Sequence, residues 1–550
     1  MSRPIGSVRG NMTRTLFKAF HESAARWPDN ALLCVPPGRP DAPEGVELSF
    51  REVAKRVDAL IDAYRTAGYG VGHRVALLLE NRPEHFIHFL ALNALGISQT
   101  PLNPDHRPDE IQYQIDHSGA DLIFCLAHHS ATVRQATAGS AKQPAIVVAE
   151  TWPDRLPAPT SRSQNEELGA QTEAAVLYTS GTTARPKGCI LTNEYILSFA
   201  EWYIDFAKNE KSIFQIRQGV ERLLNPLPVY HVAAGALSFT TMALTGGCFI
   251  MPGRFSPKRW WREVVETRAT IVHYIGLVPA LLLAQEPVPE EKMHSVRWGL
   301  GAGIEPGIHA RFEERFGFPN VEVWGMTELA WWFADDEEPR KIGTRAFGKP
   351  VRDIEVKIVD EEDKEVPWGV PGEMLVRAKG PNPRRRFFAG YLNDADATER
   401  AWRGGWFHTG DFARQEDDGM LYFVERKKNI IRRSGENIAA AEIENVLRSD
   451  KLVAYAAVIA VPDSLRQEEV YACVVPAPNV TPDGELAERL FLLCMDKLAY
   501  YKAPGYIAFF SSLPMTQTQK VQKQKIFPEG AEPLKAPMLF DFASRKKSNR

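Results

Sequence analysis

The sequence predicts an α/β chain in two parts: a large N-terminal part of stacked α/β sheets ending in a β-rich subdomain, and a small, mobile α/β C-terminal domain. Short apolar runs alternate with helical patterns from Thr13 onward, the signature of parallel strands covered by helices. After Pro350 the strand-like pieces become short and are separated by Gly and Pro, as in Ile354 to Val359 and Glu373 to Ala378. Beyond the charged stretch Glu425 to Lys428, about a hundred residues carry an α/β pattern of their own. The expected division is residues 1–424, with the β-rich subdomain at about 350–424, a hinge at 425–428, a C-terminal domain at 429–530 and a tail at 531–550.

The elements follow in order. Ser49 caps a helix reaching about Ala67, Arg74 to Leu79 is a strand, Pro83 to Leu95 a helix, and Asp121 to Leu126 another strand. Residues 151–168, rich in Pro, Ser and Arg, form a loop leading to the apolar run Ala174 to Tyr178, a buried strand. The most apolar segment, about His231 to Pro252, contains Ser, Thr and three glycines, which fits a buried helix and strand rather than a membrane span. The last domain reads as helix Ala439 to Leu447, strands near Ala456 to Val461 and Val470 to Val475, and helix Glu485 to Leu498. Beyond about Glu529 no pattern is visible, and a loosely ordered tail is expected.

With 550 residues, 44% of them hydrophobic, the chain buries more than one core. Its 66 basic and 69 acidic residues leave a net charge of -3, which excludes a global field for nucleic acid or an anionic membrane, so phosphate recognition must be local. The six scattered cysteines form no Cys-x-x-Cys pair, which argues against a zinc site or disulfide framework and for a reducing compartment, the cytoplasm. The N-terminus lacks the apolar core of a signal peptide.

Chemistry concentrates in Thr179-Ser-Gly-Thr-Thr-Ala-Arg-Pro-Lys-Gly188, where four hydroxyls, two glycines and two cations follow the buried strand. Short donors, exposed N–H groups and Lys187 suit a polyphosphate, while a plain surface turn is the simpler alternative. The order is not that of a Walker loop, whose Lys opens a helix and is followed by Ser or Thr. The stretch resembles the phosphate loop Thr-Ser-Gly-Thr-Thr-Gly-x-Pro-Lys-Gly of the adenylate-forming superfamily, which includes acyl-CoA synthetases, luciferases and peptide-synthetase adenylation domains. That resemblance implies a phosphate-binding role for Thr179, Ser180, Gly181, Thr182, Thr183 and Lys187. Ala184 stands where the family has Gly, adding a methyl and narrowing φ.

Further motifs extend the resemblance over about residues 15–527. Trp324-Gly-Met-Thr-Glu328 is similar to the family's Tyr-Gly-Met-Thr-Glu, which implies that Trp324 and Gly325 meet adenine, Thr327 the α-phosphate and Glu328 a Mg²⁺ ion. Without the motif, Thr-Glu reads as a helix start. Gly301, Ala302 and Gly303 resemble the turn on which the adenine lies. Trp406-Phe-His-Thr-Gly-Asp411 resembles a motif whose Asp accepts from the ribose hydroxyls, which implies that role for Asp411 with Arg426, and a hinge at Lys428. Ser434, Gly435, Glu436 and Asn437 match the loop that a rotated C-terminal domain presents to CoA; Lys427, Arg432 and Arg433 are candidates for CoA phosphates or a solvated basic face. Leu513-Pro-Met-Thr-Gln-Thr-Gln-Lys520 resembles Leu-Pro-x-Thr-x-x-Gly-Lys, with Gln519 for Gly, and implies that Lys520 clamps a carboxylate against the α-phosphate. Asn225 to His231 resembles the segment walling the acyl pocket, which makes Tyr230 and His231 pocket candidates and His231 a catalytic one, although a lone His is more often structural. Trp331 and Trp332 follow Glu328 and are expected to shorten the pocket, with indoles facing a cationic acid.

The implied activity is an ATP- and Mg²⁺-dependent acid–CoA ligase that forms AMP and pyrophosphate through an acyl-adenylate, acting on a small carboxylic acid. The Arg432 to Asn437 segment looks most like carnitine/crotonobetaine CoA ligases and their small-acid relatives. Two rivals remain: a stand-alone adenylation enzyme loading a carrier protein, and a nucleotide-binding relative without catalysis, to which Ala184 and Gln519 point.

Overall fold

The computed structural model describes residues 14–546 apart from 141, 180–185, 427–428, 434–435, 464–465, 516–520 and 529. Described residues within Met1–Glu355 and Val376–Phe407 form one compact unit, and those within Val356–Leu375 and His408–Arg550 a second.

The first unit rests on two large sheets. In the seven-stranded one, Ser98–Pro101, Arg74–Leu78, Leu122–Cys125 and Ala145–Val148 run parallel, Glu173–Thr179 joins beside Ser98–Pro101, and Lys187–Thr192 and Gly390–Tyr391 complete it antiparallel. In the eight-stranded one, Ala31–Val35, Cys248–Ile250, Arg222–Leu224, Ile271–Ile275, Trp298–Ala302 and Asn320–Met326 lie parallel in that order, with Val46–Ser49 and Leu329–Ala334 antiparallel at the edges. Parallel strands need crossovers, and the helical patterns between the apolar runs supply them. The helix Phe50–Ala67 shows how sharply they are bounded. Ser49 Oγ accepts from the Glu52 amide and the Glu52 carboxylate from the Ser49 amide, a reciprocal cap, and Gly68 ends the helix at φ +97°. Its buried face is Val53, Val57, Ile61 and Tyr64.

The second unit holds most of a four-stranded sheet, ordered Ile354–Val359, Gly372–Ala378, Phe407–Gln415, Leu421–Arg426, and all of a six-stranded sheet built around Gln467–Pro476. Ile443 and Leu447 of the helix Ala440–Arg448 and Leu490 and Cys494 of the helix Gly484–Lys497 pack with Val458, Val470 and Ala472 in one core.

The tail departs from expectation. Leu539–Asp541 adds a strand antiparallel to Tyr506–Phe509, Phe542 stacks on Phe491 with centroids 4.7 Å apart, and Lys546 pairs with the fully buried Glu469. A three-residue strand is too short to show a period, so only the sheet edge it covers reveals it. Glu469 also accepts from Arg433 Nε at 2.8 Å. Arg433 is therefore a buried ion-pair partner and no candidate for CoA phosphates.

Candidate active site

In the first unit, Glu173–Thr179 and Lys187–Thr192 form a hairpin in which Thr179 faces Lys187 and Tyr178 faces Gly188. Between them fall Ser180, Gly181, Thr182, Thr183 and Ala184, which lie outside the described residues. Lys187 thus opens a strand, and the next helix, Asn193–Phe206, starts only at Asn193, so the arrangement is not that of a Walker loop. The exit of the loop is pinned twice. The Tyr113 hydroxyl donates to the Pro186 carbonyl at 2.8 Å, and Lys187 Nζ sits 4.6 Å from the centroid of the Tyr391 ring. Tyr113, His117, Pro186, Lys187, Tyr391 and Arg400 line a hollow at this point.

Thr327 and Glu328 are the two-residue connection of a tight hairpin closed by Met326 and Leu329, not the start of a helix. Partners from distant segments hold the turn. The Tyr195 hydroxyl donates to the Thr327 carbonyl at 2.6 Å, and the Phe388 amide to the Glu328 carbonyl at 3.0 Å. The Glu328 carboxylate is buried and accepts from the Tyr391 hydroxyl at 2.9 Å. Burial and the charge of Glu328 push the Tyr391 phenol far above its ordinary pKa, so it stays a donor. One phenol therefore bridges Lys187 and Glu328. Sequence reasoning missed Tyr391 because it sits far along the chain, in the two-residue strand Gly390–Tyr391, which pairs with Cys189 and Ile190.

Gly301 and Ala302 end the strand Trp298–Ala302, and Gly303 turns away at φ +82°. A Cβ at Gly301 would meet the Tyr274 ring at 2.4 Å, which explains the glycine. The Gly303 and Ile304 amides donate to Glu322 at 2.5 and 3.2 Å, while burial pushes that carboxyl up to about 7. Trp324 is 5% exposed and stacks on Phe333 at 5.5 Å, with Phe347 nearby, so little of its ring is open to a base. Gly325 touches Trp332 so closely that a Cβ would lie 2.1 Å from the indole.

Trp331 and Trp332 do not share a task. Trp332 fills the space over Gly325 and donates to the Leu329 carbonyl at 3.0 Å. Trp331 donates to the Ser198 carbonyl at 3.1 Å and carries the Arg386 guanidinium 3.4 Å over its ring. Alternation along the strand Leu329–Ala334 separates the two, and a resident arginine corrects the expectation that Trp331 faces a cationic acid.

Tyr230 and His231 are half-buried. Asn81 holds their segment, donating to the Leu227 carbonyl at 2.9 Å and accepting from the Val229 amide at 3.0 Å. His231 Nδ1 accepts from the Ala233 amide at 3.2 Å, at the head of the buried π-helical turn Ala233–Ser238. That bond gives His231 a structural task. A π turn beside a pocket segment is a frequent mark of function that no periodicity in the sequence announces.

In the second unit, Asp411 is buried and stands opposite Arg426 in the pairing of Phe407–Gln415 with Leu421–Arg426, its Oδ1 3.4 Å from Arg426 Nε. Gly410 precedes it at φ +68°, and Thr409 Oγ1 accepts from the Asp411 amide at 3.1 Å. The two expected ribose residues are thus neighbours. The buried Glu425 accepts from the Arg426 amide at 2.8 Å and, across residues 427–428, from the Ala441 amide at 2.9 Å in the first turn of Ala440–Arg448. Lys428, Ser434, Gly435 and Lys520 lie outside the described residues. Arg433 pairs with Glu436, and Glu436 and Asn437 open the strand Glu436–Ala439. Met515 bridges Val521, which brackets the segment containing Lys520.

Residues 20–392 match the model of the AMP-binding enzyme family, and residues 442–520 that of the AMP-binding enzyme C-terminal domain. The chain belongs to this family, the adenylate-forming enzymes, and stands among its acid–CoA ligases. It is 29% identical over 500 residues to crotonobetaine/carnitine–CoA ligase of Proteus mirabilis, covering 87% of this chain and 93% of that one. It is 29% identical over 524 residues to sulfoacetate–CoA ligase of Cupriavidus necator, covering 93% and 97%. Among solved structures, ATP-bound MatB of Rhodopseudomonas palustris superposes with a TM-score of 0.78 at 22% identity over 93% of this chain and 98% of that one.

Proposed function

We propose that this AMP-forming acid–CoA ligase activates a compact, polar carboxylic acid. The carrying observation is the Lys187–Tyr391–Glu328 relay at the mouth of the 180–185 loop. It sets one cation and one carboxylate at fixed places, as charge handling on a polyphosphate requires. Lys187 and the loop hydroxyls bind phosphate oxygens, Thr327 the α-phosphate, and Gly301 to Gly303 the base. In the second unit, Asp411 and Arg426 suit a ribose diol. Glu328 fits Mg²⁺: it is a buried, hard oxygen donor that accepts from a neutral phenol. When bound, Mg²⁺ neutralises phosphate charge as pyrophosphate departs.

The acid carboxylate attacks the α-phosphorus, the bond to pyrophosphate breaks, and the CoA thiolate then displaces AMP from the acyl carbon. Lys520 supplies positive charge for the first step, and the 434–437 segment serves the second. Trp332 over Gly325 leaves a short pocket, and the relatives named for carnitine and sulfoacetate act on compact charged acids. The six buried, unpaired cysteines suit a reducing compartment, and we assign the enzyme to the cytoplasm. Among the described residues no helix is long and apolar enough to cross a membrane. The test is AMP release with CoA over a panel of acids. Small charged acids are expected to lead; palmitate outpacing them would overturn the short pocket, and no acid-dependent pyrophosphate exchange at all would overturn the activity.

A further inference from the structure

Glu80, His128 and His129 lie outside all of this machinery. Strands Arg74–Leu78 and Leu122–Cys125 are parallel neighbours with Leu78 opposite Cys125, so the chain leaves the same sheet edge side by side at both places. Glu80 follows the first strand at φ +55°, and the 3₁₀ turn Ala127–His129 follows the second. Nε2 of His128 and Nε2 of His129 each lie 2.8 Å from the same oxygen, Glu80 Oε1. The turn is held from behind, where the Ala127 amide donates to Glu150 at 2.9 Å.

We propose that Glu80, His128 and His129 bind a divalent transition-metal ion of the zinc class. Two imidazole nitrogens and a carboxylate oxygen already converge within 4.8 Å of one another. Zn²⁺ takes such ligands at about 2.0–2.2 Å, which places tetrahedral neighbours roughly 3.3 Å apart, so each contact need open by only about half an ångström. The rings exchange their Nε2–H for Nδ1–H, and their Nε2 lone pairs face the ion. His129 is 15% exposed and His128 54%, which gives the ion an access path and leaves positions for water. Imidazole ligands favour Zn²⁺, Co²⁺ or Ni²⁺ over Mg²⁺, so the site does not compete for the ion that accompanies ATP. The next residue is Asn81, which holds the Leu227 to Val229 segment, so an ion here stiffens the loop that supports the pocket wall.

The test is Zn²⁺ titration of the untagged full chain by calorimetry in excess Mg²⁺, with Co²⁺ absorption as a coordination signature. One equivalent is expected, with a rise in melting temperature on Zn²⁺ addition. Outer-sphere changes typically cost about 10–100-fold in affinity, so Glu80→Gln, His128→Ala and His129→Ala should each weaken binding at least about tenfold. His21→Ala, at an exposed histidine elsewhere, should bind as the parent does. Pyrophosphate exchange checks that each variant is folded, and His128→Gln or His129→Gln replaces an alanine variant that fails. No saturable binding, or affinity unchanged by all three ligand substitutions, overturns the site; so does Glu80→Gln binding as well as the parent, which would leave a mere histidine pair.

Discussion

The described residues that flank the motifs are held differently in the two units. In the first unit the Met326–Leu329 hairpin is clamped by Tyr195, Phe388 and Tyr391, three partners from remote segments, and the loop after Thr179 is pinned at its exit by Tyr113 and Tyr391. In the second unit the described residues around the motifs are held by backbone pairing instead: four pairs join Ile430–Arg433 to Glu436–Ala439, and one bridge joins Met515 to Val521. The difference suits two kinds of work. Phosphate charge is best met by groups that cannot reorganise, whereas residues serving successive half-reactions must be presentable in turn.

The largest expected effect tests that division at Lys520. If Lys520 serves the α-phosphate as proposed, Lys520→Ala costs about 3–4 kcal/mol, on the order of a few hundredfold in adenylate formation. Thioester formation from supplied acyl-adenylate should be nearly unchanged. Equal losses in both half-reactions would remove the contrast between the units.

Tyr391→Phe probes the clamped side. A hydrogen bond to a charged group is worth about 1.5–3 kcal/mol, so pyrophosphate exchange should fall roughly ten- to hundredfold. The Mg²⁺ concentration needed for half-maximal exchange should rise, because Glu328 loses its orienting donor. A lower rate with unchanged Mg²⁺ dependence would show that the phenol supports only the fold.

Glu425→Gln probes the other side more gently. The carboxylate accepts from Ala441 in the first turn of a helix, where its charge is worth about 0.3–1 kcal/mol. Thioester formation should change by about two- to fivefold while exchange holds steady. Parallel shifts would make Glu425 an ordinary structural group.

The last effect falls on stability and not on turnover, as a pH slope. Burial raises Glu322 from its ordinary 4.5 to about 7, so its protonated form favours the folded state: that stability is complete below pH 4.5 and is lost as pH rises through 7. Glu322→Gln does not titrate. The melting temperature of the parent relative to this variant should fall between about pH 5 and about pH 8. A flat difference would mean that the Gly303 and Ile304 amides fully offset the burial.

Local rules carried much of the secondary structure. The Ser49 cap, the strand in Arg74 to Leu79, the helix from Pro83 and the buried strand before Thr179 all stand where periodicity and capping chemistry place them, because each depends on neighbours within a turn or a pleat. The hairpin at Thr327-Glu328 was not legible, since those residues alone would open a helix and only the pairing of Met326 with Leu329 makes the turn. The tail strand Leu539–Asp541 was not legible, because its stability comes from the sheet edge it covers.

What the sequence determined by itself is which residue types are present and at what spacing: a hydroxyl-rich loop after a strand, a carboxylate after a threonine, an aspartate after a glycine. Only the tertiary structure decided which of them act together. Tyr391 reaches Glu328 across 63 positions, Asn81 reaches Leu227 across 146, and Trp331 and Trp332, adjacent in sequence, part company because successive side chains on a strand point opposite ways. Long-range contacts of this kind leave no periodic trace, since they depend on sheet order and not on local propensity.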